Sequence, residues 1–231
     1  MKIGMQLAMP SEFRALPGTE NLTPFETVSG VDFYRLSPDI IACTGGVGKV
    51  NAAMAAEILC LKYGVDLILN TGVAGCFTDL PVASVAVASK LIQHDVDTTA
   101  VGDPIALVST VNRVEFPTWQ PDHCAELLRR AGIDAGTGLV ATSDAFLTRS
   151  ERSQWVWDTF HPLMAEMEGC AIAQVCLRNN VKFVAVKSVS DHPFFENQIE
   201  EYNTFDRALA AAGNAAVALA RAILDEQAAQ G

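Results

Sequence analysis

Positive charge is scarce in this sequence. Sixteen Lys and Arg stand against 27 Asp and Glu, a formal net charge of -11. That balance disfavours a phosphate backbone as partner, because such a contact needs clustered basic side chains to release counterions, and no nucleic acid is expected. A small nucleoside makes no such demand and stays open. Long apolar runs are also missing. No stretch approaches the ~18 apolar residues that span a bilayer, and "MKIGMQLAMPSE" reaches Pro10 and Glu12 too early for a signal-peptide core. The expectation is a soluble, cytoplasmic protein. The six cysteines, Cys43, Cys60, Cys76, Cys124, Cys170 and Cys176, include no CxxC pair and sit in apolar segments. They read as reduced core thiols, not as a disulfide framework or a zinc site. Internal repeats, low-complexity tracts and interdomain linkers are absent too. A chain of 231 residues, 50% of them hydrophobic, suffices for one core, so the expectation is one domain over residues 1–231.

What is present is an alternation. Apolar runs of strand length occur in "KIGMQLA", "IIAC" (40–43), "VDLILN" (65–70), "VASVAVAS" (82–89), "TGLVAT" (137–142) and "VKFVAVKSVS" (181–190). Helical stretches lie between them at 49–63, 122–132, 167–180 and from about 202 to 227. This pattern predicts an α/β fold with a central mixed β-sheet flanked by helices. "FETVSGVDFYRL" (25–36) alternates around Ser29-Gly30 and predicts a β-hairpin at a sheet edge. Five strands run into small or polar clusters, "AMPSE", "TGGVGK", "NTGVAG", "TSDAF" and "SVSD". Ligands settle at such strand ends in α/β sheets, which predicts one shared crevice containing Glu12, Asp144 and Asp191.

Each motif also has a plainer account. "TGGVGKVN" fails the phosphate-loop pattern, with Cys43 and Val50 where Gly and Ser or Thr are required; its glycines fit a tight strand-to-helix turn. "QHDVDTTAVGD" gathers His94, Asp95, Asp97 and Asp103, but Asp is common in turns and no metal is expected there. Helix-start chemistry alone accounts for Glu12. Asp144 reads as a turn or cap, and Phe146 as core or a stacking platform. Asp191 is either a loop cap or an acid in a dry crevice, where desolvation raises its pKa enough to donate a proton. In "AEMEGCAIAQVC", Glu166 and Glu168 head an apolar helix. One acid serves the helix start, and the other is left for a ligand, because an isolated buried carboxylate costs several kcal/mol without partners.

The motifs "AMPSE", "GGVGKVNAA", "NTGVAG", "HDVDTTAVG", "SDAF", "EMEGCAIAQVC" and "SVSD" stand in the order found in 5'-methylthioadenosine/S-adenosylhomocysteine nucleosidases of the purine nucleoside phosphorylase/uridine phosphorylase superfamily. The chain resembles that family over nearly its whole length. The resemblance implies a nucleoside phosphorylase-like fold, no metal or organic cofactor, a homodimer, and hydrolysis of the N-glycosidic bond of a 5'-substituted adenosine. It implies that Glu12 activates the attacking water and that Asp191, oriented by Ser190, protonates the purine at N7. Glu168 would hold the ribose hydroxyls, Met167 would pack on the sugar, Phe146 would stack on the base, and the Leu147 backbone would bond the base edge. Phe205 would close the pocket beside the alkylthio group.

The sequence departs from the family pattern at four places. Val73 replaces a serine, Cys76 replaces a glycine, Lys187 replaces an arginine, and the segment "DHPFFENQIEEYNTF" that opens on Asp191 is unlike the common pattern. Lys keeps the charge but loses the planar fork of donors, so Val73 and Lys187 bear on substrate binding. The alternatives are a phosphorolytic purine nucleoside phosphorylase, a futalosine-type hydrolase and a non-catalytic nucleoside-binding protein. Retention of Glu12, Glu168 and Asp191 speaks against the last. "LAMPSE" in place of a Gly-Asp-Pro-type phosphate loop speaks against the first.

Overall fold

The computed structural model describes residues 1–230. Runs without alternation become strands buried on both faces. β1 (Ile3–Leu7) is buried at every position and lies parallel between β4 (Ile40–Thr44) and β5 (Leu67–Cys76). The predicted hairpin is present as β2 (Glu26–Val28) and β3 (Val31–Ser37), turning at Ser29 and Gly30, which both have positive φ. β3 pairs with β4, and β2 forms the outer edge.

On the other side of β5 the sheet closes on itself. β5 pairs with β10 (Lys182–Asp191), β10 with β6 (Val85–Gln93), β6 with β8 (Ala135–Thr142), and β8 with β9 (Met164–Glu166). β9 then returns to β5 at Gly75 and Cys76. A three-residue strand, β7 (Glu115–Pro117), hangs on β6. The sheet is mixed, as expected, but its strand ends face a partly closed ring, not an open crevice. Register shifts in β6 between Ala88 and Lys90 and in β10 between Val189 and Asp191 supply the bends.

Two helical layers cover the sheet. α2 (Lys49–Leu61) and α5 (Gly169–Asn179) pack together over one apolar cluster. α3 (Pro121–Arg130) and α7 (Asp206–Gln230) cover another. α7 is long and apolar enough to cross a bilayer, but Ala208, Ala212, Ala215, Ala216, Leu219 and Ala220 are buried against the protein. A Cβ at Gly213 would overlap the Ala15 carbonyl; glycine there lets α7 press onto the end of α1 (Pro10–Arg14). The expected final helix is divided, with α6 (Gln198–Asn203) before α7. α4 (Glu151–Phe160) was not expected, and Glu166 lies on β9, not at the head of a helix.

Candidate active site

Ends of β1, β5, β9 and β10 surround a cavity of about 620 Å³ including its mouth. Its lining includes Glu12, Val73, Phe146, Leu147, Met167, Glu168, Ser190 and Asp191. Eight of the ten residues assigned to the site from the sequence therefore converge here.

Glu12 enters through α1, which starts directly after β1 with Pro10 at its first position. One carboxylate oxygen accepts hydrogen bonds from the backbone N–H of Ala8 (2.8 Å) and Met9 (2.9 Å), and the other from that of Val73 (3.2 Å). Glu12 thus does the work of a helix-start acid and also faces the cavity. Gly72 makes room for it: φ is +148°, and a Cβ would overlap the carboxylate. Burial raises the Glu12 pKa, opposed by the charge of Lys187 and by the three N–H donors.

Glu168 stands at the N-terminus of α5 and accepts a hydrogen bond from the Gly48 N–H (2.8 Å). Burial first, then the neighbouring Glu166 charge, push its pKa up to about 7, against the pull of Lys187. Glu166 accepts from the Thr142 hydroxyl (2.5 Å), from the N–H groups of Glu168 (3.1 Å) and Gly169 (2.7 Å), and from Lys187 Nζ (3.1 Å). The helix-start role expected of Glu166 is there, joined to a buried ion pair. Lys187 is only 2% exposed. Burial disfavours its charge, but Glu166, Glu168 and Glu12 outweigh that and hold its pKa above the usual lysine value.

The base end is built differently. In β10, Val189 pairs with Ala74 and Asp191 with Gly75, so Ser190 is an extra residue in a bulge. Asp191, 1% exposed, accepts hydrogen bonds from Ser190 Oγ (2.5 Å) and from Gln198 Nε2 (2.7 Å). Burial raises its pKa, against those two donors. Phe146 lies half-open, not in the core, with Tyr202 edge-on to it at 5.0 Å.

Three expectations need correction. Lys187 does not line the cavity; it lies beneath, tied to Glu166. Phe205 does not line it either: Tyr202, stacked on Phe205 at 5.0 Å, stands in front. Asp144 belongs outside the crevice, where it accepts a hydrogen bond from the Lys49 N–H (2.8 Å) at the start of α2 and pairs with Lys49 Nζ (3.4 Å). Its cap reading holds. Asp95 binds the same Lys49 ammonium, while Asp97 and Asp103 accept from Thr99 and Thr98. No cluster of three or more metal-ligating side chains occurs among the described residues.

Sequence reasoning missed Glu166 as a cavity residue, Tyr202, and Gln198. The last two sit in the very segment that departs from the family pattern, and that departure was the available signal. The lining holds four carboxylates, Glu12, Glu166, Glu168 and Asp191, and no Lys or Arg.

A mixed sheet whose strand ends gather buried acids and an aromatic cap around one cavity defines a small-molecule site of nucleoside phosphorylase type. The sequence profile of the phosphorylase superfamily matches residues 2–225. The 5'-methylthioadenosine/S-adenosylhomocysteine nucleosidase of Shewanella loihica is 34% identical over 225 residues, covering 93% of this chain and 94% of that protein. The solved nucleosidase of the same name from Neisseria meningitidis, in complex with methylthio-immucillin-A, superimposes with a TM-score of 0.86 at 26% identity, covering 95% of this chain and 98% of that one. The futalosine hydrolase of Helicobacter pylori superimposes with a TM-score of 0.87 at 25% identity over 98% of both chains. This chain belongs to the phosphorylase superfamily and, within it, to the 5'-methylthioadenosine/S-adenosylhomocysteine nucleosidase family.

Proposed function

We propose that the protein is an N-glycosyl hydrolase that cleaves 5'-methylthioadenosine, S-adenosylhomocysteine or a related 5'-substituted adenosine into adenine and the thioribose. One observation carries the choice of hydrolysis: the cavity is lined by carboxylates without a cation. A phosphate dianion would meet only like charge there, whereas neutral water suits a carboxylate acceptor.

The chemistry follows from where charge develops. As the bond from C1' to N9 breaks, its electron pair goes to the base and the sugar gains oxocarbenium character. Asp191, whose pKa burial raises, is the acid that gives a proton to N7, so adenine leaves neutral. A water on the other face attacks C1' and loses a proton to Glu12, whose three N–H donors favour the ionised form. Glu168 accepts from the ribose hydroxyls, Met167 packs on the sugar, Phe146 covers the base, and Ser190 orients Asp191. Val73 serves through its N–H to Glu12, and Lys187 acts through Glu166. A positioned acid contributes about 10²–10⁴-fold in rate, and fixing the water adds a proximity term. No step calls for a metal or organic cofactor.

The likeness to a futalosine hydrolase favours one second reading, in which the same residues release a 6-oxopurine. Purine release from 5'-substituted adenosines and futalosine, with and without phosphate, tests both. Adenine release independent of phosphate is expected. Strict phosphate dependence, or no release at all, would overturn the hydrolase. We further infer a cytoplasmic homodimer serving methionine salvage. Exposed Val50 and Val101, 81% and 80% open, support an apolar contact between subunits, and light scattering after size exclusion tests it.

A further inference from the structure

Gln198, on α6, is 4% exposed and spends both hydrogens of its amide nitrogen on the site. Nε2 donates to the Leu147 carbonyl (2.8 Å) and to Asp191 Oδ2 (2.7 Å). Both partners are oxygens, so the amide nitrogen and not the amide oxygen must face them. Leu147 and Asp191 line the cavity while Gln198 does not; the amide is a tie behind the wall. We propose that Gln198 is a positioning residue that locks the acceptor for the purine 6-position and the acid for N7 into one rigid frame, and thereby selects 6-aminopurines over 6-oxopurines. The inference rests on the proposed nucleosidase reaction and deepens it.

Two consequences follow from one nitrogen with two bonds. A carbonyl oxygen has two lone pairs. With one occupied by Gln198, the Leu147 oxygen keeps a fixed direction for the other, where it accepts from an amino group and repels a carbonyl. At Asp191 the Gln198 donor stabilises the ionised form, against burial. It therefore helps set the pH above which Asp191 no longer holds the proton it must donate. The other groups facing Asp191 are Ser190, Tyr202 and the His192–Glu201 pair (2.9 Å). Of these, Ser190 donates to the other carboxylate oxygen, so none ties Asp191 to Leu147. The isosteric acid cannot replace the amide: ionised Glu donates nothing and neutral Glu donates once.

The test uses Gln198→Leu and Gln198→Glu in the full chain, with methylthioadenosine and its 6-oxo analogue, methylthioinosine, as substrates. Melting curves establish that the variants fold; Gln198→Glu keeps size and polarity if the leucine variant does not. Gln198→Leu is expected to move the alkaline limb of the kcat/KM profile to higher pH, because Asp191 loses a donor to its ionised form. Preference for the amino over the oxo substrate should fall by about tenfold, the worth of one hydrogen bond. Gln198→Glu should lose more activity, since it sets an oxygen against two oxygens. Loss of rate at all pH values with the limb and the preference unmoved would mean a merely structural role and overturn the proposal, as would unchanged activity in both variants. A wild-type protein that releases no purine from either substrate would overturn the nucleosidase reading, and the proposal with it.

Discussion

The two ends of the cavity hold buried acids by opposite means. At the sugar end, Glu166 and Glu168 share the field of one buried cation, Lys187, with Glu12 close enough to feel it, and each of these acids accepts at least one backbone N–H. At the base end, Asp191 is held by a hydroxyl and an amide, with no ion pair. A full charge partner opposes burial with countercharge, whereas neutral donors oppose it with hydrogen bonds alone. The difference teaches that burial alone does not assign a role. The kind of partner decides whether an acid stabilises charge or delivers a proton.

Breaking the base end should have the largest effect. Asp191→Asn preserves shape and cannot donate an acidic proton, so purine release should fall by about 10²–10⁴-fold with little change in melting temperature. Steady-state rates on methylthioadenosine check it, and full activity would remove Asp191 from the chemistry. The sugar end should break as structure first. Lys187→Met leaves Glu166 buried beside Glu168 without its cation and should destabilise the fold by about 3–5 kcal/mol, the usual consequence of removing one member of a buried pair. Urea unfolding measures this, and Glu166→Gln added to Lys187→Met should restore part of the loss. A single variant as stable as the parent would dissolve the contrast drawn above.

A smaller effect sharpens the comparison. Glu168 in the folded protein titrates at about 7, above the ordinary carboxylate value of 4.5. The native state therefore binds its proton more readily than the unfolded chain between those values. The stability this group contributes is full at low pH and declines as pH rises through about 7. Glu168→Gln cannot ionise and keeps the oxygen that accepts from Gly48. It should melt a few degrees above the parent at pH 8, at roughly 2–4 °C per kcal/mol for a chain of this size, with the gap closing by pH 5. Its KM should rise as its stability does. Thermal melts across that range decide the sign.

Most of the fold was legible because its signals are local. Apolar runs marked β1, β4, β6, β8 and β10, and Ser29-Gly30 marked the hairpin. The misses are short or non-local. β9 has three residues, one of them Glu166, and makes no run. α4 is largely polar and aromatic, although Ser150 accepts from the Ser153 N–H as an N-cap and was visible in "TRSERS". Closure of the sheet depends on pairing β9 with β5 about ninety positions away, which periodicity does not encode. In the site, Glu12, Glu168 and Asp191 stood out because charge interrupted apolar or small-residue segments. Gln198 carries no charge and its partners are 7 and 51 positions away, so only the departure of its segment from the family pattern set it apart from a helical surface residue.

The bulge at Ser190 reduces to a question of parity. Strand residues face alternate sides of a sheet, and a shift of one residue turns a side chain to the other face. Were the same sequence to run on without the bulge, Ser190 would pair with Gly75 and Asp191 with Cys76, and the acid would face away from the cavity. With the bulge, Asp191 lies beside Gly75, where an added Cβ would come within 3.3 Å of the carboxylate. The bulge in β10 therefore decides whether this chain presents an acid to a base at all, and in any remodelled version of the fold, smoothing that one irregularity with the residues unchanged would displace the acid by a full pairing position.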